Sequence, residues 1–137
     1  MTRSFLVIAS VLWATAARGE WKLIGAPPDA VPQIAYDTAR VQYEPPLVTT
    51  WTRVVLPDAA TLGNGVRYRS VLQKVAIDCN ARTWAVTRSE FYAERGATGT
   101  ALYTDSLPRQ EWELRHARPG SNGDRLIRAL CTTPAPW

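Results

Sequence analysis

The segment VRYRSVLQKVAIDC, residues 66–79, is the most informative part of the chain for the fold because apolar and polar residues alternate along it. Most of its odd-numbered positions from residue 71 onward are apolar: Val71, Val75, Ile77 and Cys79. This period of two is typical of a β-strand with one buried face, and a slip of one residue would exchange the two faces. The pattern predicts a long strand whose odd-numbered side chains face the core.

Two similar segments flank this strand. Residues 47–56 are rich in Val, Thr and Trp, and residues 83–93 have a similar composition, which favours strands. Turn residues separate the three segments at Gly63-Asn64-Gly65 and at Asn80-Ala81. We therefore expect an antiparallel meander of three long strands. Shorter strands are predicted at residues 21–24, 34–36 and 100–103.

The period changes near the C-terminus. Pro119-Gly120 ends the extended chain, Ser121 fits a helix N-cap, and Asp124 occupies the capping-box position three residues later. Apolar residues then recur at helical spacing: Leu126, Ile127, Leu130 and Cys131. This pattern predicts one short helix with a single apolar face.

The first 19 residues have the features of a cleavable secretory signal. Arg3 is basic, residues 5–13 are apolar, and small residues follow. The apolar run is much shorter than the roughly 20 residues that span a bilayer, and no cysteine near the cleavage site offers a lipid acceptor. We expect residues 20–137 to form one domain, periplasmic or secreted, without a stable membrane anchor. Cleavage of the signal would remove Arg3 and Arg18 and lower the net charge of +4 by two. The small positive charge that remains is weak evidence for a polyanionic partner.

Cys79 and Cys131 are the only two cysteines. In an oxidising compartment two thiols are most simply interpreted as one disulfide, which would pin the predicted helix across the predicted sheet. The pair also leaves no cysteine for catalysis, zinc or iron–sulfur chemistry.

The sequence contains no catalytic set and no metal-ligand spacing. His116, the only histidine, lies in a basic loop and has no predicted partner to orient it for a catalytic triad, although it remains an alternative haem ligand. Glu111 and Glu113 flank Trp112 and are best interpreted as a solvated face. The sequence therefore predicts a protein that is not an enzyme and holds no cofactor.

The remaining candidate is an interaction surface of aromatic and arginine side chains. Strand parity groups Trp51 with Arg53, and it groups four residues of the next hairpin: Arg82, Trp84, Arg88 and Tyr92. Such groups are enriched at protein interfaces, and on a sheet they can also stack nucleic-acid bases. The alternative is that the tryptophans fill the core while the arginines lie at strand ends. The secretory compartment argues against nucleic acid.

Several short motifs occur together, in one order, along residues 21–131. They are Trp21, Tyr36-Asp37 with Val41, Trp51, Tyr68-Arg69-Ser70, Asp78-Cys79-Asn80-Ala81-Arg82, Tyr92 with Gly96 and Gly99, Trp112, Pro119-Gly120-Ser121 with Gly123-Asp124, and Cys131. With this set the chain resembles the surface-adhesin protein E family of bacterial extracytoplasmic proteins. The resemblance implies an α+β fold, with a single antiparallel sheet of about six strands and a C-terminal helix packed on one face and tethered by a disulfide.

The same resemblance implies a non-enzymatic, extracytoplasmic protein-interaction module. Its partner would be a host matrix or serum protein or a protein of the cell envelope, and a homodimer is a further option. A periplasmic module that binds a small ligand or haem is the alternative. The family's ligand-binding segment does not align residue by residue with this chain, so the resemblance assigns no binding residue.

Overall fold

The computed structural model describes residues 20–24 and 32–131. They form eight strands and one α-helix: β1 Trp21–Leu23, β2 Gln33–Asp37, β3 Gln42–Glu44, β4 Leu47–Thr61, β5 Arg67–Asp78, β6 Thr83–Tyr92, β7 Tyr103–Ser106, β8 Arg115–His116 and α1 Asn122–Leu130. Two 3-10 turns lie at Thr38–Arg40 and Arg109–Glu111. The predicted signal segment lies outside the described residues and stays a prediction.

All strands belong to one antiparallel sheet in the order β1-β2-β4-β5-β6-β7, with β3 also paired to β4 and β8 to β6. The predicted sheet with a C-terminal helix is confirmed, but the strand count is eight rather than about six. The two additional strands, β3 and β8, are three and two residues long and consist of exposed residues. Such short segments carry no alternation of burial that a sequence pattern could reveal.

Strand boundaries differ from the prediction by more than one residue in two strands, β4 and β7. Strand β4 continues to Thr61 through an irregular register between Val55 and Ala60, although Pro57 lies in this stretch. A bulge tolerates proline because the ladder is already interrupted there. Strand β7 covers Tyr103–Ser106 and thus begins three residues later than the strand predicted at residues 100–103.

The helix packs on the face of the sheet that the alternation of β5 predicted. Its buried side chains Leu126, Ile127 and Leu130 form one core cluster with Val75 and Ile77 of β5. Ile77 and Ile127 have no exposed surface. The Cys79–Cys131 disulfide, with a Cα–Cα distance of 5.6 Å, joins the end of β5 to the end of α1. The odd-numbered residues at this end of β5 therefore face the core, as predicted.

The start of α1 is capped as the sequence indicated. The Ser121 hydroxyl accepts a hydrogen bond from the Asp124 backbone N–H at 3.2 Å, and the Asp124 carboxylate accepts one from the Gly120 N–H at 2.9 Å. This second bond, assisted by Arg128 and Arg82, lowers the pKa of Asp124 despite its burial. The helix is thus fixed at its start by the cap and at its end by the disulfide.

In the part of the chain that the structure describes, no helix has the length and apolarity needed to cross a membrane.

Candidate interaction face

A bulge in β6 divides the predicted interaction residues between two faces of the sheet. Val75 is paired with Val86, whereas Lys74 is paired with Arg88, so Thr87 is the extra residue on β6. An extra residue reverses the alternation of side chains beyond it. Trp84 and Arg88 therefore lie on opposite faces, and the predicted single face for Arg82, Trp84, Arg88 and Tyr92 is wrong.

Trp84 and Arg82 belong to the helix side. Trp84 packs against the core cluster and lies directly under Gly123, where a Cβ would be 2.2 Å from its Cε2 atom. Arg82 lies in the β5–β6 turn with φ 55° and forms an ion pair with Asp124 at 3.2 Å. These two residues hold the helix on the sheet, which agrees with the alternative interpretation of this tryptophan as a core residue.

The other predicted residues lie on the opposite side, which we call the distal face and define by Trp51, Arg53, Lys74 and Arg88. Across the three central strands Trp51 is paired with Lys74, and Lys74 with Arg88. Arg53 lies two residues beyond Trp51 on β4. All four side chains are half-buried.

Tyr92 shares this face but is not part of its accessible surface, because it is 8% exposed. Its hydroxyl donates a hydrogen bond to Glu90 at 3.3 Å. Burial and then the negative charge of Glu90 raise the pKa of Tyr92. Tyr92 therefore holds the Glu90 carboxylate in place by a hydrogen bond and is too buried to contact a partner.

Both ends of the distal face are covered by other parts of the chain. At one end the buried Ser70 hydroxyl donates to the Glu94 carbonyl and accepts from the Ala97 N–H at 2.9 Å. At the other end Leu47, Thr49 and Ala76 are buried. The accessible part of the face is therefore confined to its centre, where the tryptophan and the cations lie.

Two residues outside the predicted interaction set, Trp21 and Arg40, complete this centre. The guanidinium of Arg53 lies over the ring of Trp21 of β1, with 4.7 Å between the Cζ atom and the ring centroid. Arg40 lies 5.4 Å from the Trp51 ring and 5.8 Å from the Trp21 ring. Each contact fits a cation–π interaction. Only the pairing of β1, β2 and β4 brings these residues together, so no local sequence signal could have revealed them.

The charges of the distal face are only partly balanced. Arg40 forms an ion pair at 2.5 Å with Asp37, whose side chain is fully buried, and Arg88 forms one at 3.4 Å with Glu90. Arg53 has no hydrogen bond or ion pair from its side chain within residues 20–24 and 32–131, and its buried Nε atom has no acceptor there. Burial lowers the pKa of the Arg53 guanidinium.

The side chains considered for catalysis or ligation lie elsewhere. His116 is exposed on β8, opposite Thr83. Glu113 forms an exposed ion pair with Arg115 at 2.9 Å. Glu111 and Glu113 line a cleft of about 320 Å³ beside Trp84 at the edge of β6. No group of three or more potential metal ligands occurs among the described residues.

Comparisons with known proteins agree with this architecture. The family model for surface-adhesin protein E matches residues 21–132. No curated protein sequence matches the chain. Structures of Haemophilus influenzae protein E are similar in fold: one has a TM-score of 0.59 at 17% identity and covers 85% of this chain and 87% of its own. A second crystal form has a TM-score of 0.55 at 17% identity, covering 72% of this chain and 79% of its own.

Protein E from non-typeable Haemophilus influenzae is a third similar structure, with a TM-score of 0.54 at 15% identity and coverage of 83% and 85%. At these identities the structures show a shared fold, while the family match spans nearly all of the described residues. The chain belongs to the surface-adhesin protein E family.

Proposed function

We propose that this protein is a non-enzymatic, extracytoplasmic binding module that holds a protein partner on the distal face of its sheet. The observation that carries the proposal is the cluster of Trp51 and Trp21 with Arg53 and Arg40 at the accessible centre of that face. Tryptophan and arginine are the residues most enriched at the energetic centres of protein interfaces. The opposite face is occupied by the helix.

The family supports this proposal, because its name describes surface adhesins. The predicted signal segment supports a periplasmic or secreted location. The partner would be a host matrix or serum protein, or a protein of the cell envelope. A homodimer through the same face is a further option that the experiment below separates from the others.

The test is retention of purified matrix and serum proteins, and of envelope extract, on the immobilised oxidised domain. Wild type should retain a partner, and Trp51→Ala combined with Arg40→Ala should lose most of that retention. The matched control is Arg118→Ala, an exposed cation outside the distal face, which should retain the partner fully. Retention that is equal in all three proteins would refute the distal face as the binding site.

Self-association is measured on the same proteins by sedimentation equilibrium. A dimer that dissociates in the distal-face variant, without retention of any other protein, would assign the face to a second copy of this chain. The unfolding midpoint of each variant in urea shows whether the fold is preserved.

A further inference from the structure

The distal face carries more positive charge than its own carboxylates balance. Asp37 is paired with Arg40, and Glu90 is held by Arg88 and by the Tyr92 hydroxyl. Arg53 and Lys74 keep no carboxylate within ion-pair distance in the described part of the chain. The two acids near this centre are therefore already used, and two half-buried cations remain uncompensated.

These two cations are close to each other. Lys74 is paired with Trp51, and Arg53 is the next residue of β4 on the same face, so the two lie on a diagonal between neighbouring strands. Diagonal neighbours in an antiparallel pair are roughly 7–8 Å apart, which long side chains bridge easily. Their charged ends can therefore reach one ligand group together.

The arrangement is costly in the free protein. Lys74 lies directly opposite Arg88 on β6, and like charges in directly opposite positions destabilise a sheet. Arg53 has a buried Nε atom without an acceptor, and its Trp21 contact supplies a ring face rather than an oxygen. An anion placed between Arg53 and Lys74 would reduce the repulsion among the cations and accept charge-assisted hydrogen bonds from the Arg53 guanidinium, which are among the strongest in proteins.

We propose that Arg53 and Lys74 form a seat for a carboxylate group in an acidic segment of the partner protein. The inference rests on the proposed function and specifies the chemistry of its partner. Trp51, beside the seat, would pack against an apolar side chain next to the acidic residue. The partner segment is thus one in which Asp or Glu residues lie next to apolar residues or alternate with them.

The setting favours an acidic protein segment over a sulfated polysaccharide. A polyanionic chain is bound by a run of exposed cations, whereas this seat has two half-buried cations, with Arg53 over the Trp21 ring and Lys74 paired with Trp51. A net charge of +4, of which Arg3 and Arg18 contribute two, is also modest for a polyanion-binding domain. A localised carboxylate with an apolar neighbour fits this geometry better.

The experiment uses the oxidised protein and a fluorescein-labelled nonapeptide of alternating Glu and Leu, with a matched Gln and Leu peptide. Fluorescence anisotropy should show that the Glu peptide binds at least about tenfold more tightly than the Gln peptide. Arg53→Gln and Lys74→Gln should each weaken Glu-peptide binding about tenfold and leave Gln-peptide binding unchanged. Arg67→Gln, an exposed cation at the start of β5, is the matched control and should have no effect.

Equal affinity for the two peptides would overturn the proposal, and so would unchanged affinity in both Gln variants with the fold intact by urea unfolding. Tighter binding of a heparin-derived hexasaccharide, lost in the same variants, would replace the acidic segment by a sulfated ligand and would also overturn it. The partner-retention test separates this inference from the proposed function. If Trp51→Ala with Arg40→Ala loses a retained partner while Arg53→Gln and Lys74→Gln keep it, the face binds a protein but the carboxylate seat is wrong.

Discussion

Replacing Gly123 by alanine should destabilise the protein, although alanine is the better helix former. Gly123 is the second residue of α1 and is buried against the indole of Trp84. Helix propensity by itself predicts that Gly→Ala stabilises a helix by roughly 0.5–1 kcal/mol. Packing predicts the opposite sign, which makes the substitution a direct test of the contact between helix and sheet.

The distances set the size of the effect. An alanine Cβ would lie 2.2 Å from Cε2, 2.3 Å from Nε1 and 2.7 Å from Cδ2 of Trp84. Carbon atoms pack at about 3.5–4.0 Å, so the ring or the helix must move by more than about 1 Å. The cap at Ser121 and the disulfide at Cys131 restrain the helix at both ends. Overpacking of this kind costs about 1–3 kcal/mol, so we expect a net loss of about 1–2 kcal/mol.

The assay is equilibrium unfolding of the oxidised protein in urea, where the midpoint should fall while the slope stays constant. Asn122→Ala, an exposed neighbour in the same helical turn, is the matched control and should shift stability by less than about 0.5 kcal/mol. In a Trp84→Leu background, Gly123→Ala should become neutral or stabilising, with a coupling energy of about 2 kcal/mol. A higher midpoint for Gly123→Ala in the wild-type background would refute the packing argument.

Two further predictions concern the ends of the same helix. Replacing Cys79 and Cys131 together by alanine removes a crosslink with a sequence separation of 52 residues, and the chain-entropy model gives a loss of about 4 kcal/mol. A urea midpoint equal to that of oxidised wild type would contradict the model, whereas wild type under reducing conditions should unfold like the variant. Asp124→Asn should lower stability at neutral pH, because the lowered pKa of Asp124 means that its ionised form favours the folded state. That stability is present above the ordinary carboxyl pKa of about 3.9 and is lost as pH falls through the lower folded value, so wild type and variant should converge in acid. The exposed Asp58→Asn is the control, and a difference between wild type and Asp124→Asn that persists at low pH would count against this assignment.

The helix side of the protein could be predicted well from the sequence. The alternation in residues 66–79, the capping residues Ser121 and Asp124, and the two cysteines each report a local or covalent constraint. Each is confirmed, in the core position of Val75 and Ile77, in the cap hydrogen bonds and in the disulfide. The two short strands β3 and β8 were missed because exposed segments of two or three residues have no periodicity.

The candidate interaction residues could be predicted only in part. Counting alternate residues from Arg82 to Tyr92 assumes an uninterrupted strand, and the bulge at Thr87 breaks that assumption. Trp84 therefore joins the core, where it contacts Gly123, while Arg88 stays on the distal face. Nothing in the sequence around Thr87 marks the extra residue, because the bulge is defined by the pairing with β5.

The amino-acid sequence alone established the three long strands and the C-terminal helix, the buried face of the central strand, and the single covalent bond between sheet and helix. These are properties of neighbours along the chain or of the two cysteines. Only the fold brought particular cations and aromatic rings together on the distal face, and it left Arg53 and Lys74 without a carboxylate within ion-pair distance among residues 20–24 and 32–131. The physical reason is that Trp21, Trp51, Lys74 and Arg88 come from four strands, and only strand order, register and one bulge set their spacing.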